Sequence, residues 1–488
     1  MNRRMVLYTV GTVAKIEAAL LVLPLIVSLI YKESCAVQFL ITIAISLAVG
    51  FALSFFFKPS NKVIYAKEGF AIVTLTWIVL SLIGCLPFYL SGEIPSFIDA
   101  FFETVSGFTT TGASIVNNVE ELSKGILFWR SFTHWVGGMG VLVFVMAIIP
   151  TVSDRSIHIL RAEAPGPVVG KIVPKMKQTA RILYIIYILM TLITTAFLLA
   201  GGMPVFDSVV HAIGTAGTGG FGIKSDGLGS YSPYIQWVIT IAMILFGVNF
   251  NLYYFLLIKK YKSVLKNEEF IAYIALIIVS TVIIAFNIAP LYETVSEAVR
   301  HSAFQVASII STTGFSTVDF NQWPALAKTV LLILMFCGGC AGSTAGGLKM
   351  SRVVLLIKSM KRELKRLLHP RSVAVVRLDG RKIDEKTISS LHSYFAIYVA
   401  LFVITIVFLG MDTFDIETNI AVAASCLNNI GPGLGTVGPL SSYAGYSPLL
   451  KLMLSGLMLL SRLEIIPIIL TFSPSTWKKK KTLGSLVD

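Results

Sequence analysis

The sequence FTTTGAS at residues 108–114 is a short polar stretch inside an otherwise apolar chain. Three other stretches resemble it: STTGFS at 311–316, more loosely GTGGFG at 217–222, and most distantly NNIGPG at 428–433. We number the turns along the chain: the first at 108–114, the second at 217–222, the third at 311–316 and the fourth at 428–433. They lie roughly a hundred residues apart. Each follows a long apolar run and a segment of half-span length, and each precedes another long apolar run. The pattern indicates one structural unit used four times.

The composition of the turns predicts a cation pore. Non-helical backbone is tolerated at membrane depth only where protein buries it or where it lines a watery cavity. A ring of backbone carbonyls can replace the water shell of K⁺, and glycine allows the dihedral angles that aim those carbonyls inward. We therefore expect an all-α polytopic membrane protein with four pseudo-symmetric helix–pore-loop–helix units around one ion pore, for a cation such as K⁺.

The overall composition supports a membrane protein. The 488 residues are 55% hydrophobic and 14% charged, whereas soluble domains carry about 25% charged residues. The net charge of +14 comes from basic residues in loops between apolar runs, which fits the positive-inside rule better than nucleic-acid binding. The sequence predicts a multi-pass membrane protein with both termini cytoplasmic. The first apolar run is interpreted as a retained helix and not as a signal peptide.

The predicted organisation is an N-terminal transmembrane hairpin followed by four pore units. The hairpin occupies residues 1–68, with helices at 12–31 and 37–57, and the units occupy 69–180, 181–268, 269–388 and 389–488. Their pore helices are predicted at 95–105, 204–215, 296–310 and 416–427. Their second long helices are predicted at 126–149, 233–258, 324–358 and 447–472, with a break in the third alone.

The outer segments are rich in carboxylates, namely Glu93, Asp99, Asp207, Asp226, Glu293, Asp319, Asp412 and Asp415. Two interpretations stay open. An acidic mouth would raise the local cation concentration through its field, or the residues are simply the polar side chains of exposed loops.

Six motifs in order along the chain carry a family resemblance. They are FFETVSGFTTTGA at 101–113, WR at 129–130, WVGGMG at 135–140, RAEAPGP at 161–167, TARILY at 179–184 and NNIGPGLG at 428–435. The chain resembles the TrkH subfamily of the Trk/Ktr/HKT superfamily of potassium transporters. The resemblance implies four helix–pore-loop–helix units plus a hairpin, and a homodimer with one pore in each subunit. It also implies a TrkA-like cytosolic ring of nucleotide-binding domains that gates the pore.

The resemblance also implies which residues form the selectivity filter. Alignment on the following phenylalanine selects Gly220 in the second turn, with Gly219 as the alternative. The second turn lacks the Thr-Thr pair and the fourth has Asn-Ile, so the filter is chemically uneven. The expected filter residues are Thr110, Thr111, Gly112, Thr218, Gly219, Gly220, Thr312, Thr313, Gly314, Asn429, Ile430 and Gly431.

A glycine-rich stretch at 337–347 interrupts the third unit. Each glycine weakens a helix by about 1 kcal/mol relative to alanine, so a break at membrane depth is expected. The resemblance implies that this segment is an intramembrane gate beneath the filter. The alternative is a flexible kink that serves only packing. The expected gate glycines are Gly338, Gly339, Gly342, Gly346 and Gly347.

Arg462 lies mid-way along the last apolar run, where a charge costs about 3 kcal/mol on insertion scales. It should therefore face water or a partner. The resemblance places it in the pore below the filter, as an electrostatic barrier that helps the loop to close. The alternative is an internal pairing with Glu464 or with helix-end carbonyls.

These patterns predict a gated K⁺ uptake channel, with a symporter coupled to sodium or protons as the alternative. Glu464 is the clearest embedded carboxylate for such coupling.

No catalytic, nucleotide-binding or covalent cofactor site is expected, because the 342–349 stretch fails the Walker spacing and Cys337-x-x-Cys340 stands alone. His134, His211 and His301 are interpreted as structural histidines. The basic segment 349–386 is expected to bind membrane lipid, the gating ring, or both.

Overall fold

The computed structural model of this chain describes residues 1–60, 64–140, 176–372, 374–463 and 465–477. Within these ranges the chain is helical except for loops and one antiparallel hairpin, β1 (Arg377–Leu378) and β2 (Arg381–Lys382). Six helices in the described part are long and apolar enough to cross a membrane, and a bent helix pair makes a seventh. The prediction of an all-α polytopic membrane protein is confirmed. The RAEAPGP motif of the sequence analysis lies outside the described residues.

The N-terminal hairpin pairs two spans. The first span is α1 (Arg3–Leu20) continued by α2 (Val22–Ile30), and the second is α3 (Ala36–Phe56). Gly11 and Gly50 lie where the two spans meet, and a Cβ atom added to either would lie 2.9 Å from the carbonyl oxygen of the other. Small residues at such a seam let two helix backbones approach closely in lipid.

Four units follow, each with a long helix, a short pore helix, a turn and a second long helix. The first has α4 (Ala66–Gly84), α5 (Leu86–Leu90), α6 (Phe97–Phe108) and α7 (Lys124–Gly138). The second has α8 (Met176–Ala200), α9 (Val205–Gly217), α10 (Pro233–Phe246), α11 (Phe250–Leu257) and α12 (Tyr261–Leu265). The third has α13 (Glu268–Ile288), α14 (Val295–Ile310), α15 (Ala325–Met335) and α16 (Met350–Leu368). The fourth has α17 (Glu385–Leu409), α18 (Ile416–Asn428), α19 (Pro448–Arg462), α20 (Ile465–Phe472) and α21 (Pro474–Trp477).

The pore helices α6, α9, α14 and α18 form the centre of the protein. Their C-terminal halves are buried throughout. The long helices around them present apolar side chains outward instead, for example Phe55 and Phe286, each 80% exposed. Such apolar exposure suits contact with lipid tails, so the bilayer acts as the solvent of the outer helices.

Each pore helix carries a carboxylate in its first turn: Asp99, Asp207, Glu297 and Glu417. A negative side chain there is stabilised by the positive end of the helix dipole and by unpaired backbone amides. The opposite, partly negative ends of the helices run into the four turns. The local sequence thus fixes which end of each helix meets the centre.

The second long helices are interrupted in every unit that the structure describes far enough to judge. The predicted break in the third unit is present, between α15 and α16. The predictions of unbroken helices over 233–258 and 447–472 are wrong: α10 and α11 meet at an angle of 92°, and α19 ends at Arg462 before α20 begins. In the first unit α7 ends at Gly138, and the continuation from residue 141 lies outside the described residues.

The bend in the second unit has one tertiary and one local cause. A Cβ atom added to Gly247 would lie 2.2 Å from the hydroxyl oxygen of the buried Tyr273, so glycine is favoured there. Two residues later the side chain of Asn249 accepts a hydrogen bond from the amide of Asn251 at 2.9 Å and starts α11 as an N-cap. An N-cap residue holds non-helical backbone angles, which ends the preceding helix direction.

The two ends of the described chain lie at one face. The amide of Asn2 donates to Glu68 Oε1 at 2.9 Å, beside the start of α4. The Arg3 guanidinium donates to the carbonyl of Trp477 at 3.3 Å and lies over its ring. The N-terminal segment and residue 477 therefore share one side of the helix bundle.

Candidate ion-selectivity filter and the loop beneath it

The four turns meet in a closed ring. In each turn the glycine leaves room for the backbone of the next turn. A Cβ atom added to that glycine would collide with a carbonyl oxygen of the next turn. The contacts are Gly112 with Gly219, Gly220 with Thr313, Gly314 with Ile430 and Gly431 with Thr111, at Cβ-to-oxygen distances of 2.0, 1.9, 2.2 and 2.7 Å. They run from the first turn to the second, third and fourth and back to the first. The twelve predicted filter residues are thus brought together around one axis.

The backbone angles repeat in the same way. In each turn a residue with left-handed φ, between 54° and 57°, stands two positions before a glycine with φ between 75° and 99°. The pairs are Thr110 with Gly112, Thr218 with Gly220, Thr312 with Gly314 and Asn429 with Gly431. Left-handed angles at residues other than glycine cost of order 1–3 kcal/mol and persist only where surroundings enforce them. By this repeat Gly220 matches the other glycines, and Gly219 matches Thr111, Thr313 and Ile430.

One cavity lies on the side of the ring opposite to the glycine-rich loop of the third unit. Its volume is about 260 Å³, and all four ring glycines line it together with segments that follow the turns. Among the described residues its charged lining consists of Arg130 and Lys224, with no carboxylate. None of the eight outer carboxylates lines this cavity, so an acidic mouth would act on its contents only from a distance, and that interpretation stays a prediction.

The outer carboxylates have other uses. Asp99 pairs with Lys451 at 2.7 Å, Asp207 accepts from the Tyr231 hydroxyl at 2.7 Å, and Asp412 accepts from the Ser447 amide at 2.8 Å. The partly negative C-terminal ends of the four pore helices converge on the ring, which gives the ring a negative potential.

Hydroxyl pairs support two of the turns from behind. Thr109 Oγ1 and Thr111 Oγ1 lie 2.8 Å apart in the first turn, and Ser311 Oγ and Thr313 Oγ1 lie 2.7 Å apart in the third. In the fourth turn Asn429 Nδ2 donates to Thr111 Oγ1 at 2.8 Å. These bonds fix the residues whose carbonyls form the ring.

A buried ion pair that the sequence analysis missed joins the first two turns. Glu103, on the first pore helix, is fully buried, and Arg130 Nε lies 2.5 Å from its Oε1. Glu103 also accepts from the Ser114 hydroxyl and the Ile115 amide, both at 2.9 Å. Arg130 donates to the Gly222 carbonyl at 2.9 Å. The signal was a carboxylate amid the apolar residues of a pore helix, because a buried charge needs a partner.

Residues 336–349, which we call the glycine loop, lie beneath the third and fourth turns. The amide of Gly346 donates to Thr312 Oγ1 at 2.6 Å. A Cβ atom added to Gly346 would lie 2.6 Å from the Asn428 carbonyl oxygen. The loop is therefore in direct contact with the ring.

All five predicted gate glycines have a structural need for glycine. Gly338, Gly342 and Gly347 have φ of 67°, 76° and 75°, in the region that favours glycine. At Gly339 a Cβ atom would lie 2.6 Å from that of Ala345. At Gly346 a Cβ atom would collide with the Asn428 carbonyl oxygen at the start of the fourth turn. Their presence is explained by the folded path of the loop.

Glu269, at the start of α13, anchors the glycine loop and was also missed. Its Oε1 accepts from the amides of Ala341, within the loop, at 2.6 Å and of Ser351, in the first turn of α16, at 2.9 Å. The side-chain amine of Lys349 donates to the Ala345 carbonyl within the loop. In sequence Glu269 is indistinguishable from an ordinary acidic residue in a first helical turn.

The bend between α10 and α11 holds the other side of the loop. The Cys340 amide donates to the Gly247 carbonyl at 2.9 Å, and the Phe250 amide donates to the Gly342 carbonyl at 3.0 Å. Two helix breaks thus satisfy each other's backbone groups, which lipid cannot do.

Arg462 bridges the glycine loop and the end of α7. It donates to the Thr344 carbonyl at 2.9 Å, and to the carbonyls of Gly137 and Gly138 at 2.8 and 2.6 Å. It is the last residue of α19 and not mid-helix, which corrects the prediction. Binding to helix-end carbonyls is thus observed at Gly137 and Gly138, whereas the role of an electrostatic barrier in the pore stays a prediction. Glu464 lies outside the described residues.

Comparison with known proteins agrees with this architecture. A model of the TrkH family, described as cation transport protein, matches residues 36–480. The Trk system potassium uptake protein TrkH of Salmonella typhimurium is 35% identical over 98% of this chain and all of its own length. The Trk system potassium uptake protein TrkG of Escherichia coli is 31% identical, over 97% of this chain and 99% of its own.

A solved structure matches as well. The crystal structure of the potassium transporter TrkH from Vibrio parahaemolyticus has a TM-score of 0.87 and 31% identity, over 98% of this chain and all of that one. These relatives are named as transporters and not as enzymes. The match of the family model over most of the chain and the relatives' identity over nearly its whole length show that the chain belongs to the TrkH family of cation transport proteins.

Proposed function

We propose that this protein mediates potassium uptake through a selective, gated, channel-like pore. The observation that carries the proposal is the closed ring of four turns, in which each glycine packs on the carbonyl of the next turn. Carbonyls in such a ring replace the hydration shell of K⁺. The ligands are the backbone oxygens of the twelve filter residues, and those of Thr111, Gly219, Thr313 and Ile430 abut neighbouring turns. The relatives' names as potassium uptake proteins support K⁺ as the ion.

The glycine loop acts as the gate in this proposal. It lies between the ring and the breaks of the second long helices, and Thr312 and Arg462 hold it in place. With the loop in this position, the fixed positive charge of Arg462 beneath the filter opposes cation passage. Opening requires that the loop exchange these side-chain contacts for others.

Regulation and assembly follow the family pattern in this proposal. A TrkA-like cytosolic nucleotide-binding ring sets the open probability, and two subunits form a homodimer with one pore each. The protein resides in the bacterial inner membrane with both termini cytoplasmic. The shared face of Asn2 and Trp477 and the basic helix α16 support this orientation. The exposed lysines and arginines of α16 would meet anionic lipid or the ring.

A symporter coupled to sodium or protons is the second candidate, and one carboxylate favours it. Glu17, on α1, is 1% exposed, and neither of its oxygens has a hydrogen-bond partner among the described residues. It lies against α4, where a Cβ atom on Gly84 would be 3.2 Å from its Oε1. An unpaired carboxylate in a membrane protein is the kind of group that binds a coupling proton. Glu103 does not compete for that role, because Arg130 neutralises it.

The deciding experiment is K⁺ flux into liposomes that contain the purified protein alone. A diffusion potential is imposed, with no sodium or proton gradient. Flux that follows the potential without a co-ion is the expected result and establishes the channel. Flux that requires a sodium or proton gradient, and that Glu17→Gln abolishes, would establish the symporter.

A further inference from the structure

The second turn differs from the first and third in what supports it. The hydroxyl pairs Thr109 with Thr111 and Ser311 with Thr313 stand behind the other two turns. By the repeat of backbone angles, the matching positions in the second turn are Gly217 and Gly219. Two glycines provide neither a hydroxyl pair nor any side-chain volume. Something else must fill the space behind this part of the ring.

The imidazole of His134, on α7, fills that space. A Cβ atom added to Gly219 would lie 2.1 Å from His134 Cγ and 2.2 Å from its Nδ1. A Cβ atom added to Gly217 would lie 2.3 Å from the His134 carbonyl oxygen. The ring of Phe221 covers the imidazole, with 4.2 Å between centroids. A threonine side chain at residue 219 and the imidazole of His134 exclude each other.

His134 is also tied to the first pore helix. Its Nδ1 lies 2.7 Å from the carbonyl oxygen of Gly107, and the side chain is fully buried. A carbonyl oxygen only accepts hydrogen bonds, so Nδ1 carries the proton and donates. The imidazole therefore connects α6 to the second turn at a fixed distance, as the hydroxyl pairs do within the other turns.

We propose that His134 is the positioning residue of the second filter turn. It replaces the absent hydroxyl pair and fixes the carbonyl of Gly219, which abuts Gly112 in the ring. This inference rests on the proposed function, because it gives His134 a part in the preference for K⁺. It also explains why the second turn has glycine where the first and third turns have threonine: α7 supplies the missing contact.

The test exchanges the two kinds of support. His134→Ala removes the imidazole, Gly219→Thr adds the side chain found at the matching positions, and the double variant does both. The ratio of K⁺ to Na⁺ flux in liposomes is measured at equal imposed potential. We expect each single variant to lower the ratio by at least about fivefold, because selectivity depends on how carbonyls are held. The double variant should recover most of the wild-type ratio.

Two further variants separate positioning from packing. His134→Asn keeps an N–H donor near the Nδ1 position, and His134→Leu keeps volume without a donor. Asn should retain more of the K⁺ preference than Leu. As a matched control in another turn, Thr313→Gly creates the composition of the second turn without a histidine behind it and should lower the ratio.

The outcomes are distinct. An unchanged flux ratio in His134→Ala and His134→Leu, or a fall in total flux with the ratio intact, overturns the inference and leaves the proposed channel standing. If the single variants do not reach the membrane, the double variant decides: a wild-type ratio supports the inference and a lost ratio overturns it. Absence of potential-driven K⁺ flux in the wild-type protein would instead contradict the proposed function itself.

Discussion

The ring of turns and the glycine loop are both glycine-rich, non-helical and at the centre of the helix bundle, yet they are held by different forces. In the ring, each glycine packs directly on the backbone of the next turn, so four backbones fix one another. The glycine loop shares two backbone hydrogen bonds with the bend between α10 and α11. Its hydrogen bonds to the ring, to α13 and to α19 run instead through the side chains of Thr312, Glu269 and Arg462. Side-chain contacts can be exchanged one at a time, whereas a closed backbone ring moves only as a whole. In the proposed function, the ring is therefore the fixed filter and the loop is the movable gate.

The largest expected effect comes from Gly112→Ala, which tests the backbone ring. The Cβ would lie 2.0 Å from a carbonyl oxygen, and overpacking with left-handed strain costs about 3 kcal/mol, or about a hundredfold in function. We expect K⁺ flux to fall by at least that factor.

Gly92→Ala is the matched control for Gly112→Ala. Gly92 has the same φ of 78° but nothing within 4 Å of an added Cβ. It carries only the strain of the left-handed angle, about 1 kcal/mol, and K⁺ flux should stay near the wild-type value. Equal losses in the two variants would show that backbone strain, and not contact across the ring, limits transport.

The second largest effect is expected for Glu103→Gln, which tests the buried ion pair of Glu103 and Arg130 between the first two turns. Breaking a buried ion pair leaves Arg130 uncompensated and destabilises by about 3–5 kcal/mol. Thermal unfolding of the detergent-solubilised protein should shift to clearly lower temperature. Glu417→Gln breaks the more exposed pair with Lys328 at 3.2 Å and should change stability by about 1 kcal/mol or less. Comparable shifts of the unfolding temperature in both variants would argue against a special stabilising role of the Glu103–Arg130 ion pair.

The third prediction concerns the glycine loop and its anchor, Arg462. Arg462→Gln weakens the anchor between the glycine loop and α7, so the closed position loses about 1.4 kcal/mol, equivalent to about a tenfold rise in basal K⁺ flux. Flux through the protein alone in liposomes measures this. Lys328→Gln removes a cation at the outer surface and serves as control. A fall in flux in Arg462→Gln would contradict the gate assignment.

The smallest effect is expected at the contact between the two regions. Thr312→Val removes the acceptor of the Gly346 amide, a hydrogen bond worth about 1 kcal/mol. Basal flux should rise severalfold, less than in Arg462→Gln. Thr194→Val, on a lipid-side helix where the hydroxyl bonds the Met190 carbonyl, is the control for a buried threonine. If Thr312→Val exceeds Arg462→Gln in effect, the ring and the loop are not separate in the way described.

The four turns and the pore helices could be predicted from sequence because their signals are local. Threonine and glycine at fixed positions mark the turns, and the predicted pore helix at 296–310 differs from α14 by one residue. The breaks after Phe246 and Arg462 could not be predicted from apolar runs alone. They depend on partners distant in sequence, such as the Tyr273 hydroxyl beside Gly247 and the Thr344 carbonyl that Arg462 binds.

Charged residues were the weakest part of the prediction for the same reason. The outer carboxylates left both an acidic mouth and ordinary exposed polar side chains open, and the structure places Asp99 and Asp207 in the first turns of pore helices, paired with other side chains. Glu103 stood out only as a carboxylate amid apolar residues, without its partner being evident, and Glu269 gave no local sign that it holds the loop. Whether a carboxylate faces an ion, an arginine or a backbone amide is decided by tertiary contacts.

The most direct test of the central claim is to locate the ion. Crystals of the protein grown with Rb⁺ in place of K⁺ allow anomalous scattering to mark bound cations. The account predicts a peak on the axis of the ring, coordinated by the carbonyl oxygens of Thr111, Gly219, Thr313 and Ile430. A bound Rb⁺ found only away from the ring, for example beside Glu17, would contradict it.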